Sequence, residues 1–218
     1  MENDTPNKIK ISKEIIATLP IETFPGKIVV IDNERDADNA VLQLNNERII
    51  GFDTETRPTF KKGKSNHVAL IQLSTHDTCY LFRINRIGFT PAIKNLLENE
   101  SLLKVGISLK DDFCMLSRLN GGQFIPRNFI ELQKFVKKYN IEDQSLQKIY
   151  GIVIGKKISK GQRLSNWEAD HLTENQQLYA ATDAWSCIKI YEVLKSGKFK
   201  SPIYKIPVSY THLRAHET

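Results

Sequence analysis

Two carboxylates spaced two residues apart close the apolar run Ile49-Ile50-Gly51-Phe52-Asp53-Thr54-Glu55-Thr56. Side chains alternate faces along a strand, so Asp53 and Glu55 project on one side. Carboxylates crowded at a strand end repel each other unless a proton or a cation lies between them. Hard carboxylate oxygens suit Mg²⁺ or Mn²⁺, and a divalent cation is the simplest way to hold both. Taken alone, an Asp-x-Glu is more often an acidic turn after a strand.

Three further acids bear on the choice. Asp111 and Asp112 fall where the apolar segment Leu102–Ile107 gives way to a helix, a place where carboxylates commonly cap. Ser108 and Asp111 fit a Ser-x-x-acid capping arrangement, which gives Asp111 a structural task and leaves Asp112 to point elsewhere. Asp183 lies in Leu178-Tyr179-Ala180-Ala181-Thr182-Asp183-Ala184-Trp185, a segment apolar enough to be a buried helix. A buried carboxylate needs a partner. Tyr179 stands one turn earlier on the same face, so the plainest alternative is a Tyr–Asp hydrogen bond inside a core.

The elements that must position these acids are readable in outline. A short helix within 11–19 stops at Pro20, and Lys27–Ile31 is a β-branched strand. Asp32 or Asn33 caps a helix over 34–46. Strands are expected at 49–54, 67–74 and 78–84, the last two joined by the hairpin-length Thr75-His76-Asp77. A helix over 90–99 has Pro91 in its first turn. A strand at 102–107 leads into the helix after Ser108, and 128–132 supplies a fifth core strand followed by a helix to about 139. A short helix over 142–150 ends at Gly151. A basic loop fills 155–167, and a long helix spans 174–196, opened by a Thr173/Gln176 capping box and stopped near Gly197. Strands in a block, then strands alternating with helices, argue an α/β class with a mixed five-stranded central sheet and helices on its faces.

The 218 residues suffice for one domain with extensions, and 40% hydrophobic with 26% charged residues is ordinary for a globule. The expected organisation is an extension over 1–24, a domain over 25–200 and a tail over 201–218. Residues 207–218 show no continuing pattern and hold two of the five histidines. They resemble translated adapter read-through more than native sequence, and are set aside; on that reading the native C-terminus is missing, and whether a further domain goes with it is left open. No apolar run approaches a membrane span, and the N-terminus has no basic start followed by an apolar stretch. Three widely spaced cysteines, Cys79, Cys114 and Cys187, read as buried thiols of a reducing compartment, which points to the cytoplasm. A net charge of +6 and a pI near 9.1 lean toward a polyanionic partner. Lys61, Lys62 and Lys64 form one basic cluster, and Lys156, Lys157, Lys160 and Arg163 another, both in loops where a long cation reaches a phosphate.

Phe52-Asp53-Thr54-Glu55-Thr56-Arg57-Pro58 resembles the first motif of the DEDD 3′–5′ exonucleases. Val105-Gly106-Ile107-Ser108-Leu109-Lys110-Asp111-Asp112 resembles the second, and Tyr179-Ala180-Ala181-Thr182-Asp183 the third, in the tyrosine-bearing subclass. Ser165-Asn166-Trp167 and the Val68–Leu73 strand extend the match, which covers about 25–196 and is similar to ribonuclease D and the exonuclease domain of the Werner-syndrome helicase. The resemblance implies a ribonuclease H-like three-layer fold. It implies two divalent cations, Mg²⁺ or Mn²⁺, and release of nucleoside 5′-monophosphates from the 3′ end of DNA or RNA. It aligns Asp112, not Asp111, with the second motif. On this view Asp53, Glu55, Asp112 and Asp183 are the metal ligands. Asp53 bridges, Glu55 and Asp183 complete the water-activating side, and Asp112 holds the second cation through water, the two metals serving the attacking and leaving oxygens. Tyr179 orients the attacking water, because a phenol titrating near 10 is a poor base at neutral pH.

For the substrate, Phe52, Thr54, His67, Phe113 and Trp167 are candidates to stack on bases or pack beneath the terminal nucleotide. Lys156, Lys157, Lys160 and Arg163 are candidates to follow the phosphates. Discrimination between DNA and RNA depends on contacts near the 2′ position, which no motif here specifies. Two other readings have distinct signatures. A catalytically idle nucleic-acid-binding module on the same fold predicts missing acids, and all are present. A haloacid-dehalogenase-like phosphatase using Asp53 as nucleophile requires Asp-x-Asp, whereas this chain has Asp-x-Glu.

Overall fold

The run that ends in the two acids forms the interior strand of a twisted sheet. In the computed structural model, which describes residues 8–57 and 67–200, that strand is β2 (Ile49–Thr56). It pairs antiparallel with β3 (Val68–Ser74), which turns through Thr75-His76-Asp77 into antiparallel β4 (Thr78–Phe82). On its other side β2 runs parallel to β5 (Leu103–Gly106), and β5 parallel to β6 (Phe129–Glu131). Among the described residues the sheet has six strands rather than five. The Lys27–Ile31 segment, β1, adds to its edge by pairing parallel with β4, giving the order β1-β4-β3-β2-β5-β6. Lys61, Lys62, Lys64 and the tail over 201–218 lie outside the described residues.

Helices cover both faces. The short α1 (Lys13–Thr18) precedes β1, and α2 (Glu34–Leu44) begins at Asn33, whose side chain accepts from the Asp36 N–H at 2.9 Å. The one-turn α3 (Ile84–Ile87) follows β4, and α4 (Pro91–Glu98) starts with proline in its first turn as expected. With α5 (Leu109–Leu119), α2 and α4 cover one face around Phe52, Ile71 and Phe82. After β6 the chain makes α6 (Leu132–Phe135), a 3₁₀ turn to Tyr139, and α7 (Leu146–Ile154). The 22-residue α8 (Glu174–Lys195) lies with α7 on the opposite face, over Leu70, Cys79 and Leu81. Both halves of the Thr173/Gln176 capping box form.

Two local readings are corrected. The α7 helix does not stop at Gly151 but runs to Ile154 and ends at Gly155 in the left-handed region, φ +73. Gly151 is small for packing: a Cβ there would come within 3.3 Å of the Ile11 and Leu19 side chains. Nor does Ser108 cap α5. Its backbone is itself left-handed and its hydroxyl makes no capping bond. The Glu131 carboxylate accepts from the Ser108 and Leu109 N–H groups at 3.1 and 2.8 Å, and from the Gln133 N–H at 3.0 Å. One β6 side chain thus serves the starts of α5 and α6, and Asp111 is exposed.

Residues 8–24 pack against the α/β body. Ile11 is buried, and Ile21 bridges to Lys157. Glu22 accepts from Tyr150 and pairs with Lys156 and Lys189 at 2.7 and 2.9 Å. Among the described residues no helix is long and apolar enough to cross a membrane. All three cysteines are free, with Cys79 and Cys187 buried but Cys114 exposed on α5.

Candidate metal and nuclease site

The β2 strand extends past Asp53 to Thr56, so Asp53 and Glu55 sit on consecutive inward positions of one strand rather than on a turn. The third acid comes from the helix packed over that face. Gly51, two residues before Asp53, lets the α8 backbone approach until a Cβ would lie 1.9 Å from the Ala184 carbonyl oxygen. That approach sets Asp183, one residue earlier on α8, beside the strand. One carboxylate oxygen each from Asp53, Glu55 and Asp183 lies within 4.8 Å of the others. Asp112, in the first turn of α5, stands outside this triplet but is tied to the same strand. Its Oδ1 accepts from the Thr54 hydroxyl at 2.5 Å.

The electrostatics are those of a crowded, partly dry set of acids. Asp183 is buried, while Asp53, Glu55 and Asp112 are half-buried. Burial, and then repulsion from Glu55, Asp183 and Asp112, holds Asp53 well above the usual carboxylate range. Burial and the Asp183 and Asp112 charges push Glu55 up to about 9. Burial raises Asp183 to about 7 against the opposing hydrogen bond from Tyr179 and the charge of Lys160. Burial likewise raises Asp112 to about 6, opposed by the Thr54 hydroxyl. Among the described residues no lysine or arginine forms an ion pair with any of the four. Carboxylates brought together without an internal counter-charge fit a divalent cation, whose oxygen-ligand preference matches the donor set.

Tyr179, one turn before Asp183, hydrogen-bonds that carboxylate, and burial and the nearby acids push its phenol above its ordinary value. Behind it lies Trp167, fully buried with ring centroids 6.1 Å apart. Trp167 is therefore a wall of the site and offers no open face to a base. Phe52 is likewise core, and Phe113 is half-buried, its ring 4.8 Å from Phe129. His67 is exposed just before β3, and Thr54 is engaged with Asp112. The basic loop divides. Lys156 pairs with Glu22, and Lys157 donates to the Ala17 carbonyl at 2.5 Å, so both hold the N-terminal segment. Lys160 and Arg163 are exposed, and their charges reach Asp183 and Glu55 respectively.

A cavity of about 250 Å³ opens beside Tyr179, between Thr23, Gln162 and Asn175. Beside Phe113 a cleft of about 700 Å³ carries Lys110, Lys134 and Lys137. Lys134 and Lys137 belong with Lys138 to one short basic stretch that the sequence reading passed over, and Lys110 joins them from α5 only through the fold.

A mixed sheet with its acids gathered between β2 and the covering helix α8 is the ribonuclease H-like α/β architecture. The profile described as 3′–5′ exonuclease matches residues 28–197. The chain belongs to that family. It is 34% identical over 208 residues to the bifunctional 3′–5′ exonuclease/ATP-dependent helicase WRN of Mus musculus, a match covering 87% of this chain and 14% of the mouse protein. The chain thus spans a small part of that relative's length. The Nibbler EXO domain of Aedes aegypti superposes with a TM-score of 0.72 at 23% identity, over 80% of this chain and 91% of that one. The Trypanosoma brucei RNase D complex with RNA U12 superposes with a TM-score of 0.69 at 20% identity, over 78% and 63%. Both share the fold.

Proposed function

We propose that this chain is a metal-dependent 3′–5′ exonuclease that trims DNA or RNA and releases nucleoside 5′-monophosphates. The observation that carries this reading is the convergence of Asp53, Glu55 and Asp183 within 4.8 Å. These three would hold a divalent cation, and Asp53 and Asp112 would hold a second, Mg²⁺ or Mn²⁺ by the oxygen donor set. When bound, the cations supply positive charge against the scissile phosphate and acidify the attacking water.

The remaining tasks belong to the chain's own groups. Thr54 keeps the Asp112 carboxylate turned toward β2. The raised phenol of Tyr179 does not act as a base. Its hydroxyl donates to Asp183, leaving its oxygen to accept from the attacking water and fix that water's approach. Trp167 packs behind the Tyr179 ring and holds it in place. Lys160 and Arg163 face the acids and meet the terminal phosphates. The cleft with Lys110, Lys134 and Lys137 takes the strand as it leads away on the Asp112 side.

The test uses single-stranded DNA, recessed duplex DNA and RNA, each labelled at the 5′ end and incubated with Mg²⁺, Mn²⁺ or chelator. A ladder shortening from the 3′ end, absent with chelator and absent for Asp53→Asn and Asp183→Asn, is expected. Normal trimming by either variant would defeat the assignment, and comparison of the three substrates assigns the preferred nucleic acid.

A further inference from the structure

Gln72, at the middle of β3, is completely buried, and neither its amide nitrogen nor its amide oxygen has a hydrogen-bond partner among the described residues. An unpaired buried amide carries a free-energy cost that an aliphatic side chain of similar size avoids. Its position is not arbitrary. The β2–β3 register sets Gln72 directly opposite Asp53. Directly opposed residues of an antiparallel pair share a face, with Cβ atoms about 4.5–5.5 Å apart. On the other side Gln72 opposes Leu81, which packs with Leu70 and Cys79 beneath α8. Ser74, its next neighbour on that face, donates its hydroxyl to the Thr75 carbonyl. Asp53 is the polar side chain set directly opposite this amide by the strand pairing.

Carboxylates that ligate metals are themselves held by hydrogen bonds from an outer set of residues. We propose that Gln72 is a positioning residue of the metal centre: once a cation is held, its Nε2–H, unpaired in this structure, donates to the Asp53 carboxylate opposite it and keeps Asp53 turned toward Glu55 and Asp183. The inference rests on the metal-dependent reading above. Gln72 touches neither substrate nor reacting atoms, and acts through Asp53.

The test is Gln72→Leu, with Mn²⁺ binding followed by electron paramagnetic resonance without nucleic acid, and thermal unfolding followed in chelator. The expected result is an unfolding midpoint equal to or above wild type together with Mn²⁺ affinity weakened about 10–100-fold. On an oligonucleotide kcat should fall while KM stays the same, a split that loss of packing alone does not produce. Gln72→Asn, which keeps the amide, should recover part of the affinity. Gln72→Met, of similar length without a donor, gives the same comparison should the leucine variant fail to fold. Wild-type Mn²⁺ affinity in the leucine or methionine variant, with trimming intact, overturns the role of Gln72 and leaves the nuclease reading standing. A wild-type protein that binds Mn²⁺ but trims nothing overturns the nuclease reading, and the affinity shift still decides on Gln72.

Discussion

The backbone of Gly51 lies against the carbonyl of Ala184 so closely that a Cβ would stand 1.9 Å from its oxygen. This contact sets the spacing between the strand bearing Asp53 and the helix bearing Asp183. Gly51→Ala forces α8 outward, and overpacking of this kind costs about 1–3 kcal/mol or more. Relieving a 1.9 Å contact with backbone needs a shift of about an ångström at Ala184, which also separates the ligand oxygens. The expected outcome is a lowered unfolding midpoint together with weakened Mn²⁺ binding and lost trimming. A variant that keeps wild-type Mn²⁺ affinity would show that Gly51 does not set the site.

The crowded acids make stability depend on pH and on metal. Asp112, Asp183 and Glu55 titrate near 6, 7 and 9 in the fold, above their ordinary 3.8 to 4.5, and Asp53 is raised as well. The folded chain therefore binds more protons than the unfolded chain. Stability from this source is fully present below about pH 4 and is lost as pH rises through roughly 6 to 9. In chelator the unfolding midpoint should fall across that window. A cation at about 100 times its Kd adds about 2.7 kcal/mol, or roughly 5–11 °C for a chain of this size. That gain should be largest at the alkaline end, where the carboxylates are charged. A metal-free midpoint that climbs with pH over the same range contradicts the assigned crowding.

At the start of α5, the two neighbouring aspartates have separable consequences. Asp111 is exposed and caps nothing, so Asp111→Asn should change stability by no more than about 0.5 kcal/mol and leave trimming intact. Glu131, whose carboxylate accepts from three backbone N–H groups, does the capping. Glu131→Ala should cost about 1–2 kcal/mol in thermal or denaturant unfolding. Asp112→Asn should abolish trimming with little loss of stability, since it removes a desolvated charge. Loss of trimming on changing Asp111 instead would move the second-motif acid by one residue.

The acids were legible because their positions follow from chain-local periodicity. Alternation along β2 puts Asp53 and Glu55 together, and helical spacing joins Tyr179 to Asp183. The groups that support them depend on register between distant segments. Gln72 stands opposite Asp53 only through the β2–β3 pairing, and Glu131 reaches α5 only because β6 lies beside β5. The Ser108–Asp111 spacing suggested a cap, but a left-handed Ser108 turns the hydroxyl away, and a side chain 23 residues further on takes over. Trp167 could not be sorted into wall or stacking platform, because composition does not tell which face of a ring is covered. Gly151 read as a helix stop because glycine often ends helices, whereas here Ile11 and Leu19, far away in sequence, pack against it.

The lysines beside Phe113 raise the question of where the rest of the strand lies. The cleft of about 700 Å³ bearing Lys110, Lys134 and Lys137 shares Lys137 and Gln144 with a second cleft of about 480 Å³ that carries Lys8 and Lys10. Together they lead away from the α5 start. Of the acids along this path, Glu131 is engaged by backbone N–H groups and Glu142 by Lys8 and Lys10 at 2.6 and 2.8 Å, while Asp111 is exposed at the cleft edge. Phosphates lying here would release counterions, lowering the log–log salt slope by about 0.7 per contact for a single strand. The double variant Lys134→Glu/Lys137→Glu should therefore weaken binding of a long single strand and flatten its salt dependence by about 1.4. Cleavage of a dinucleotide, too short to reach the cleft, should proceed at the wild-type rate. Fluorescence anisotropy at several salt concentrations checks the first expectation and dinucleotide turnover the second. An unchanged salt slope would place the strand elsewhere, toward Lys160 and Arg163, whose charges act on Asp183 and Glu55.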